Sequence, residues 1–165
     1  MPLTVASGTE APYSWHMDSE INDRNRASLD RLRTVAALLS EEELLRPIDP
    51  PWTPAALFAH MAFWDRFAHA RWLHAVNIGN GTPAPIDDDP LELVNQAGLR
   101  GWAAIPAHTA LEECFSAAET INAFIASLEA DVVSEVVRSG RKRMVDRSIH
   151  RGEHLATIER AFPDR

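Results

Sequence analysis

The chain has 165 residues, of which 45% are hydrophobic and 24% charged, which is typical of one globular domain with a core of its own. Its formal net charge of -8 argues against a nucleic-acid-binding function, because phosphate recognition needs a basic surface. The single cysteine, Cys114, excludes an internal disulfide, and its apolar neighbours indicate a small core residue rather than a nucleophile.

The sequence shows no sign of membrane insertion or export. No apolar run approaches the ~20 residues that a bilayer-spanning helix needs. The first residues lack a basic stretch followed by a long apolar one, so we expect no signal peptide. A cytoplasmic location is the default expectation.

The first half of the chain predicts an N-terminal tail and two long helices. Residues 1–17 show no period and are expected to form a loose tail, whereas residues 18–162 are expected to form the folded domain. Apolar residues at helical spacing predict a helix from Asp18 to Leu39, and the segment 40–43 has the capping-box pattern of one more short helical turn. Thr53 followed by Pro54 predicts the start of helix two, which should reach about Asn77.

The second half predicts two more helices separated by irregular segments. Residues 79–90 are rich in Gly, Pro and Asp and form a connection, and residues 91–105 have a weaker helical pattern. A capping box at Thr109 predicts the start of helix three, which should end near Leu128. The valines between 132 and 137 resemble a strand without a partner, so we expect a loop or a frayed helix there. Helix four is expected from Arg141 to Ala161.

Four amphipathic helices with almost no strand signal predict an all-α four-helix bundle. The connection between helices two and three spans roughly 25 to 30 residues, which is far longer than neighbouring antiparallel helices need. That length favours an up-down-down-up topology, in which helix three starts beside the start of helix two.

Three histidines form the candidate site. His150 and His154 are four residues apart, so their side chains lie about 40° apart on one helix face, and His60 lies at a matching depth on helix two. Three neutral nitrogen ligands with one open position are the ligand set of a catalytic zinc-type site. Hydrogen-bonded core histidines are the alternative, but the spacing favours a metal. Glu153 is the candidate catalytic residue, able to orient an imidazole or a water.

Four further residues are candidates for binding a cofactor or substrate. Trp64 and Phe67 project from helix two near His60, and Thr157 is a small residue that leaves room beside the histidines. Arg71 shares the face of His60 about 16 Å further along the helix. It could bind a carboxylate of a long substrate, although a structural ion pair is the favoured interpretation.

Three segments together match a known superfamily pattern: Trp52-Thr53-Pro54 leading into residues 57–64, Leu93-Val94-Asn95, and His150-Arg151-Gly152-Glu153-His154. Through them the chain resembles the DinB-like superfamily over roughly residues 18–162. It is most similar to the branch related to mycothiol-dependent maleylpyruvate isomerase N-terminal domains. The resemblance implies an up-down-down-up four-helix bundle with His60, His150 and His154 as the metal ligands.

The resemblance also implies a class of function. Such proteins bind a divalent metal, often zinc or nickel, and characterised members include thiol-dependent transferases and isomerases that use a low-molecular-weight thiol. We therefore expect a metal-binding protein, with zinc favoured over nickel, that transfers a thiol to a small electrophilic molecule. A metal-dependent hydrolase and a non-catalytic protein that binds or sequesters a small molecule are the alternatives.

The outer face of helix two raises the question of assembly. Trp72 and Leu73 are turned away from the histidines, and Asp65 and Arg66 are the only charges expected on that face. Exposed apolar area of this kind often marks a protein contact, so a homodimer is one expectation. Cover of Trp72 by the N-terminal tail or by the 79–106 connection is the other, and it is slightly favoured.

Overall fold

The computed structural model describes residues 14–164, with side chains from residue 18 onwards, and this part of the chain is all-helical. The predicted fold class is thus confirmed. Residues 1–13 of the expected tail lie outside the described residues, and the first helix already begins at Ser14. The helices are α1 (Ser14–Leu38), α2 (Glu41–Leu45), α3 (Pro54–Asn77), α4 (Asp88–Ala103), α5 (Ala107–Ala126), α6 (Ala130–Arg138) and α7 (Ser148–Ala161), with a 3-10 turn (Lys142–Met144) between α6 and α7.

Contacts between distant residues give the directions of the four long helices. α3 runs parallel to α5, α1 runs parallel to α7, and the two pairs run antiparallel to each other. An up-down-down-up order requires this relation. The contacts are Phe58–Phe115 and His69–Phe124 for α3 and α5, Ser28–Arg151 and Arg31–Glu159 for α1 and α7, and His60–His154 and Asp65–Arg147 for α3 and α7.

Two of the predicted helix caps are present. The Ser40 hydroxyl accepts a hydrogen bond from the backbone N–H of Glu43 at 3.2 Å, and the Glu43 carboxylate accepts one from the backbone of Ser40 at 2.9 Å. The Thr53 hydroxyl accepts from the N–H of Ala56 at 3.1 Å at the start of α3. These caps work as predicted because they need only residues close together in the chain.

Besides the start of α1, two predicted helix starts were wrong. α5 begins at Ala107, directly after Pro106, and its N-cap makes no side-chain hydrogen bond, so the proposed cap at Thr109 does not form. The carbonyl of Pro106 already accepts from the N–H of Ala110 at 2.9 Å. The last long helix begins at Ser148 rather than Arg141, because residues 142–144 form the 3-10 turn.

The valine-rich segment is a regular helix, α6, and not a loop. Val133 and Val136 are fully buried against residues of the neighbouring helices. Their spacing of three places both on one helix face, and this burial outweighs the β-preference of valine. Of the two expectations for this segment, the loop is wrong and a helix is present.

Trp72 is fully buried rather than exposed. Its indole Nε1 donates to the backbone oxygen of Met144 at 2.9 Å, and its ring packs in a core cluster with Val133, Val136 and Val145. Among the described residues, the cover therefore comes from α6 and the 142–147 segment and not from the 79–106 connection, while cover by the tail lies outside the described residues. Leu73 remains 44% exposed. None of the described helices combines the length and apolar character needed to cross a bilayer.

Candidate metal centre

The three histidines meet at one point between α3 and α7. The Nε2 atom of His60 lies 3.2 Å from that of His150 and 3.1 Å from that of His154, and the last two are 3.1 Å apart. Tetrahedral coordination with metal–nitrogen bonds of about 2.0–2.1 Å brings ligand nitrogens to about 3.3 Å from one another. The triangle of nitrogens therefore has nearly the size that one small divalent cation requires.

The hydrogen-bonding capacity of these rings also fits a cation. A neutral imidazole carries one N–H and one lone pair, and the Nδ1 atoms of His60 and His150 are buried without a hydrogen-bond partner. If all three Nε2 atoms carried the protons, none could donate within the triangle, because no Nε2 lone pair would remain there to accept. If Nδ1 carries them, three lone pairs converge on one point, which a cation stabilises. The residues present thus fit a divalent metal.

The surroundings keep all three imidazoles neutral near pH 7. Burial, and then the charge of His154, lower the pKa of His60 to about 3. Burial, followed by the Arg147 charge, holds the pKa of His150 well below its ordinary value. Burial also lowers the pKa of His154, with Glu153 opposing the shift and Arg143 adding to it. Neutral rings offer the lone pairs that metal ligation requires.

Three tryptophan rings surround the imidazole of His60. Its ring centroid lies 4.8 Å from Trp102, 5.3 Å from Trp52 and 6.2 Å from Trp64. Trp102 follows Gly98 by one turn of α4, where an added Cβ would lie 2.6 Å from the tryptophan ring, so glycine lets the ring lie flat on its helix. Neither Trp52 nor Trp102 was a predicted site residue. Trp52 stood only in the motif that carries the family resemblance, and the signal for Trp102 was no more than the high tryptophan content of the chain.

A cavity of about 600 Å³ opens beside the histidines, within the usual size range of small-molecule sites. The indole N–H of Trp64 donates to the Asn95 side chain at 3.0 Å, which ties α4 to the cavity wall. All candidate residues lie in this lining: His60, Trp64, Phe67, Arg71, His150, Glu153, His154 and Thr157. The structure therefore brings the whole predicted set together around one space.

Glu153 faces the cavity but not the imidazoles. Its carboxylate accepts from the guanidinium of Arg143 at 2.5 and 3.0 Å, and this hydrogen bond lowers the pKa of Glu153. The side chain is about half exposed. No hydrogen bond joins it to His150 or His154 among the described contacts, so its partner in this arrangement is an arginine.

A buried charged network that the sequence pattern does not predict lies next to the histidines. Asp65, expected on the outer face of α3, is fully buried, and its two oxygens accept from Arg147 Nε at 2.8 Å and from Arg151 Nε at 2.9 Å. The Arg151 Nη2 atom adds an ion-pair contact of 2.8 Å without hydrogen-bond geometry. Both arginines flank His150, so Asp65 fixes α7 against α3.

Residues of α1 and α5 complete this network. The side-chain oxygen of Asn25 accepts from the backbone N–H groups of Arg147 at 2.8 Å and Ser148 at 3.2 Å. α7 has no cap of its own, so α1 supplies one from a distance. The Arg151 guanidinium also donates to Ser28 at 2.9 Å and to Asn122 at 3.1 Å. The position of His150 and His154 on α7 is therefore set by contacts with three other helices, α1, α3 and α5.

Comparison with known proteins gives one family. A model described as the DinB superfamily matches residues 24–160, a range that contains all three histidines and Asp65. Searches of curated proteins and of solved structures gave no match.

Proposed function

The chain belongs to the DinB superfamily, and we propose that His60, His150 and His154 bind one divalent metal ion, with zinc the first candidate and nickel the next. The observation that supports this most directly is the triangle of Nε2 atoms with sides of 3.1–3.2 Å.

We propose further that the reaction is a thiol-dependent transfer to a small electrophilic molecule, as in the maleylpyruvate isomerase-related branch that the sequence resembles. A divalent cation held by three neutral ligands would supply the positive charge that lets a thiol lose its proton near neutral pH. Trp64 and Phe67 form an apolar wall for the electrophile, and the ring of Trp52 limits the access of water to His60. Thr157 leaves space beside the triad.

A cobalt-substituted protein tests this proposal. Addition of mycothiol, bacillithiol, glutathione or cysteine should change the visible absorption spectrum of the cobalt protein and raise its melting temperature for at least one thiol. The melting temperature should rise because a thiol that binds only the folded protein stabilises the folded state by mass action. A cobalt protein that responds to none of the four would contradict the thiol proposal.

One observation supports a second candidate, a non-catalytic protein that binds or sequesters a small molecule. Glu153, the candidate acid–base residue, is engaged by Arg143 and has a lowered pKa, so it is a weak base in this arrangement. A binding protein returns its ligand unchanged, whereas a transferase returns a product only with thiol. A metal-dependent hydrolase returns a product without thiol, so one product analysis separates the three.

A homodimer and a cytoplasmic location stay predictions. Leu73 and Val76 are 44% and 54% exposed on α3, which leaves apolar area available for a protein contact. Light scattering at micromolar concentration should give twice the chain mass of 18.3 kDa if the dimer forms. A monomer at that concentration would exclude it.

A further inference from the structure

One face of α3 forms a continuous wall of the cavity. His60, Trp64, Phe67 and Arg71 recur at spacings of four, three and four residues, which places them on one side of the helix, and all four line the same space. The wall therefore begins at the histidines, continues over two aromatic rings and ends at a guanidinium. The two ends are about 16 Å apart along the helix axis.

Arg71 has no carboxylate partner among the described residues. Its Nη1 donates to the thioether sulfur of Met144 at 3.2 Å, a weak acceptor, and its Nη2 donates to the backbone oxygen of Ala84. The guanidinium carbon lies 5.8 Å from the centroid of the Phe67 ring. The structural ion pair that the sequence favoured for Arg71 was therefore wrong.

The other cavity arginines differ from Arg71 in this respect. Arg143 pairs with Glu153, and Arg147 pairs with the buried carboxylate of Asp65. Burial lowers the pKa of Arg71, and the like charges of Arg141 and Arg147 lower it further. Arg71 thus presents a positive charge to the cavity without a carboxylate in ion-pair contact among the described residues, although Asp49, Glu92 and Glu153 also line this space. An anion placed there would gain a charge-assisted hydrogen bond and reduce the repulsion between arginines.

We propose that the cavity accepts an elongated molecule whose acidic group is bound by Arg71 and whose opposite end lies at the histidines. The rings of Trp64 and Phe67 would contact the apolar middle of this molecule. The reactive end of this inference rests on the proposed function, whereas the acidic end rests on Arg71 alone. The acidic group is a carboxylate or a phosphate, because the planar guanidinium fork matches both.

Three eight-carbon probes test the acidic end without any thiol. Octanoate, octyl phosphate and octan-1-ol share one apolar chain, and their binding to the metal-free full-length protein can be compared by calorimetry. The wild type should bind at least one of the anions about tenfold more tightly than the alcohol, as a charge-assisted contact predicts. The anion that binds better identifies the group.

Arg71→Gln should abolish that preference while leaving the affinity for octan-1-ol unchanged. Arg66→Gln is the matched control, because Arg66 lies on the same helix, is exposed and pairs with Glu113 outside the cavity. It should keep the full preference. If Arg71→Gln no longer binds octan-1-ol, Arg71→Lys retains the charge and should keep a preference for the anion.

Two results would overturn the inference: equal affinities of the wild type for the alcohol and both anions, or a preference that survives Arg71→Gln. A separate measurement isolates the reactive end. Zinc-loaded protein should bind 12-mercaptododecanoate, which is long enough to reach from Arg71 to the histidines, more tightly than dodecanoate if the thiol proposal is right. If those two affinities are equal, the thiol proposal fails while the result for Arg71 stands.

Discussion

Two neighbouring regions between α3 and α7 satisfy their polar groups in opposite ways. In the charged network, both oxygens of Asp65 accept from arginines, and the Arg151 guanidinium is shared with α1 and α5. In the histidine triad, little more than one turn away, two Nδ1 atoms have no partner and three Nε2 atoms face one another. The same two helices therefore carry a closed cluster, the Asp65 network, whose charged groups are paired, and an open cluster, the histidine triad, whose nitrogens are not.

The Asp65 network holds the two helices in the arrangement that the histidine triad requires. A buried ion pair is stable only when its charges are paired and hydrogen-bonded, so the network around Asp65 fixes the register of α7 against α3. Neutral imidazoles can stay buried with less penalty, and this leaves their lone pairs available to a ligand. Thus the closed cluster positions the open one, and mutations in the two should have different effects.

The largest effect is expected on metal content when the histidines of the open cluster are removed. A variant with His60→Ala, His150→Ala and His154→Ala together should fall from about one metal ion per chain to none, because no nitrogen ligand remains. Elemental mass spectrometry of the purified protein measures this. His108→Ala removes an exposed histidine outside the cavity and should keep the metal. Stoichiometric metal in the triple variant would refute the assignment.

The next largest effect is expected on stability when the closed cluster loses its carboxylate. Asp65→Ala leaves two buried guanidinium groups without their carboxylate and should lower the free energy of unfolding by about 3–5 kcal/mol. Urea denaturation of the metal-free protein measures it. Glu159→Ala is the control, since it removes an exposed pair with Arg31 and should cost about 0–1 kcal/mol. Equal losses in the two variants would mean that the Asp65 network contributes no special stability.

A smaller effect tests the cap that α1 supplies to α7. Asn25→Ala removes the acceptor for the N–H groups of Arg147 and Ser148 and should cost about 2 kcal/mol in the same denaturation experiment. Asn22→Ala, on the same helix, loses only a hydrogen bond to Asp18 and should change the stability less. If both variants unfold at the same urea concentration, α7 does not depend on this cap.

The smallest effect concerns Glu153. Because its carboxylate is bound by Arg143 and not by an imidazole, Glu153→Gln should leave the metal content unchanged and alter the free energy of unfolding by less than about 1 kcal/mol. Metal titration with a chromophoric chelator measures the affinity. A tenfold or greater fall in that affinity would show that Glu153 orients a ligating histidine after all.

The sequence alone predicted the features that depend on residues close together in the chain. The all-helical class followed from the apolar period, and the caps at Ser40 and Thr53 followed from their side chains. The gathering of His60 with the His150 and His154 pair could also be anticipated, because spacing fixes which helix face a side chain occupies and at what depth.

Tertiary structure decided what depends on a partner from another helix. In the sequence Asp65 has the position of a surface charge, but in the fold it pairs with Arg147 and Arg151 of α7. Trp72 has the position of an exposed residue, but Val136 and Met144 pack over it. A periodic pattern reports the face of one helix, but not which other helix packs against that face. Burial of a charge or an aromatic ring is a property of the packed assembly, and so only the fold could reveal the network that holds the histidines in place.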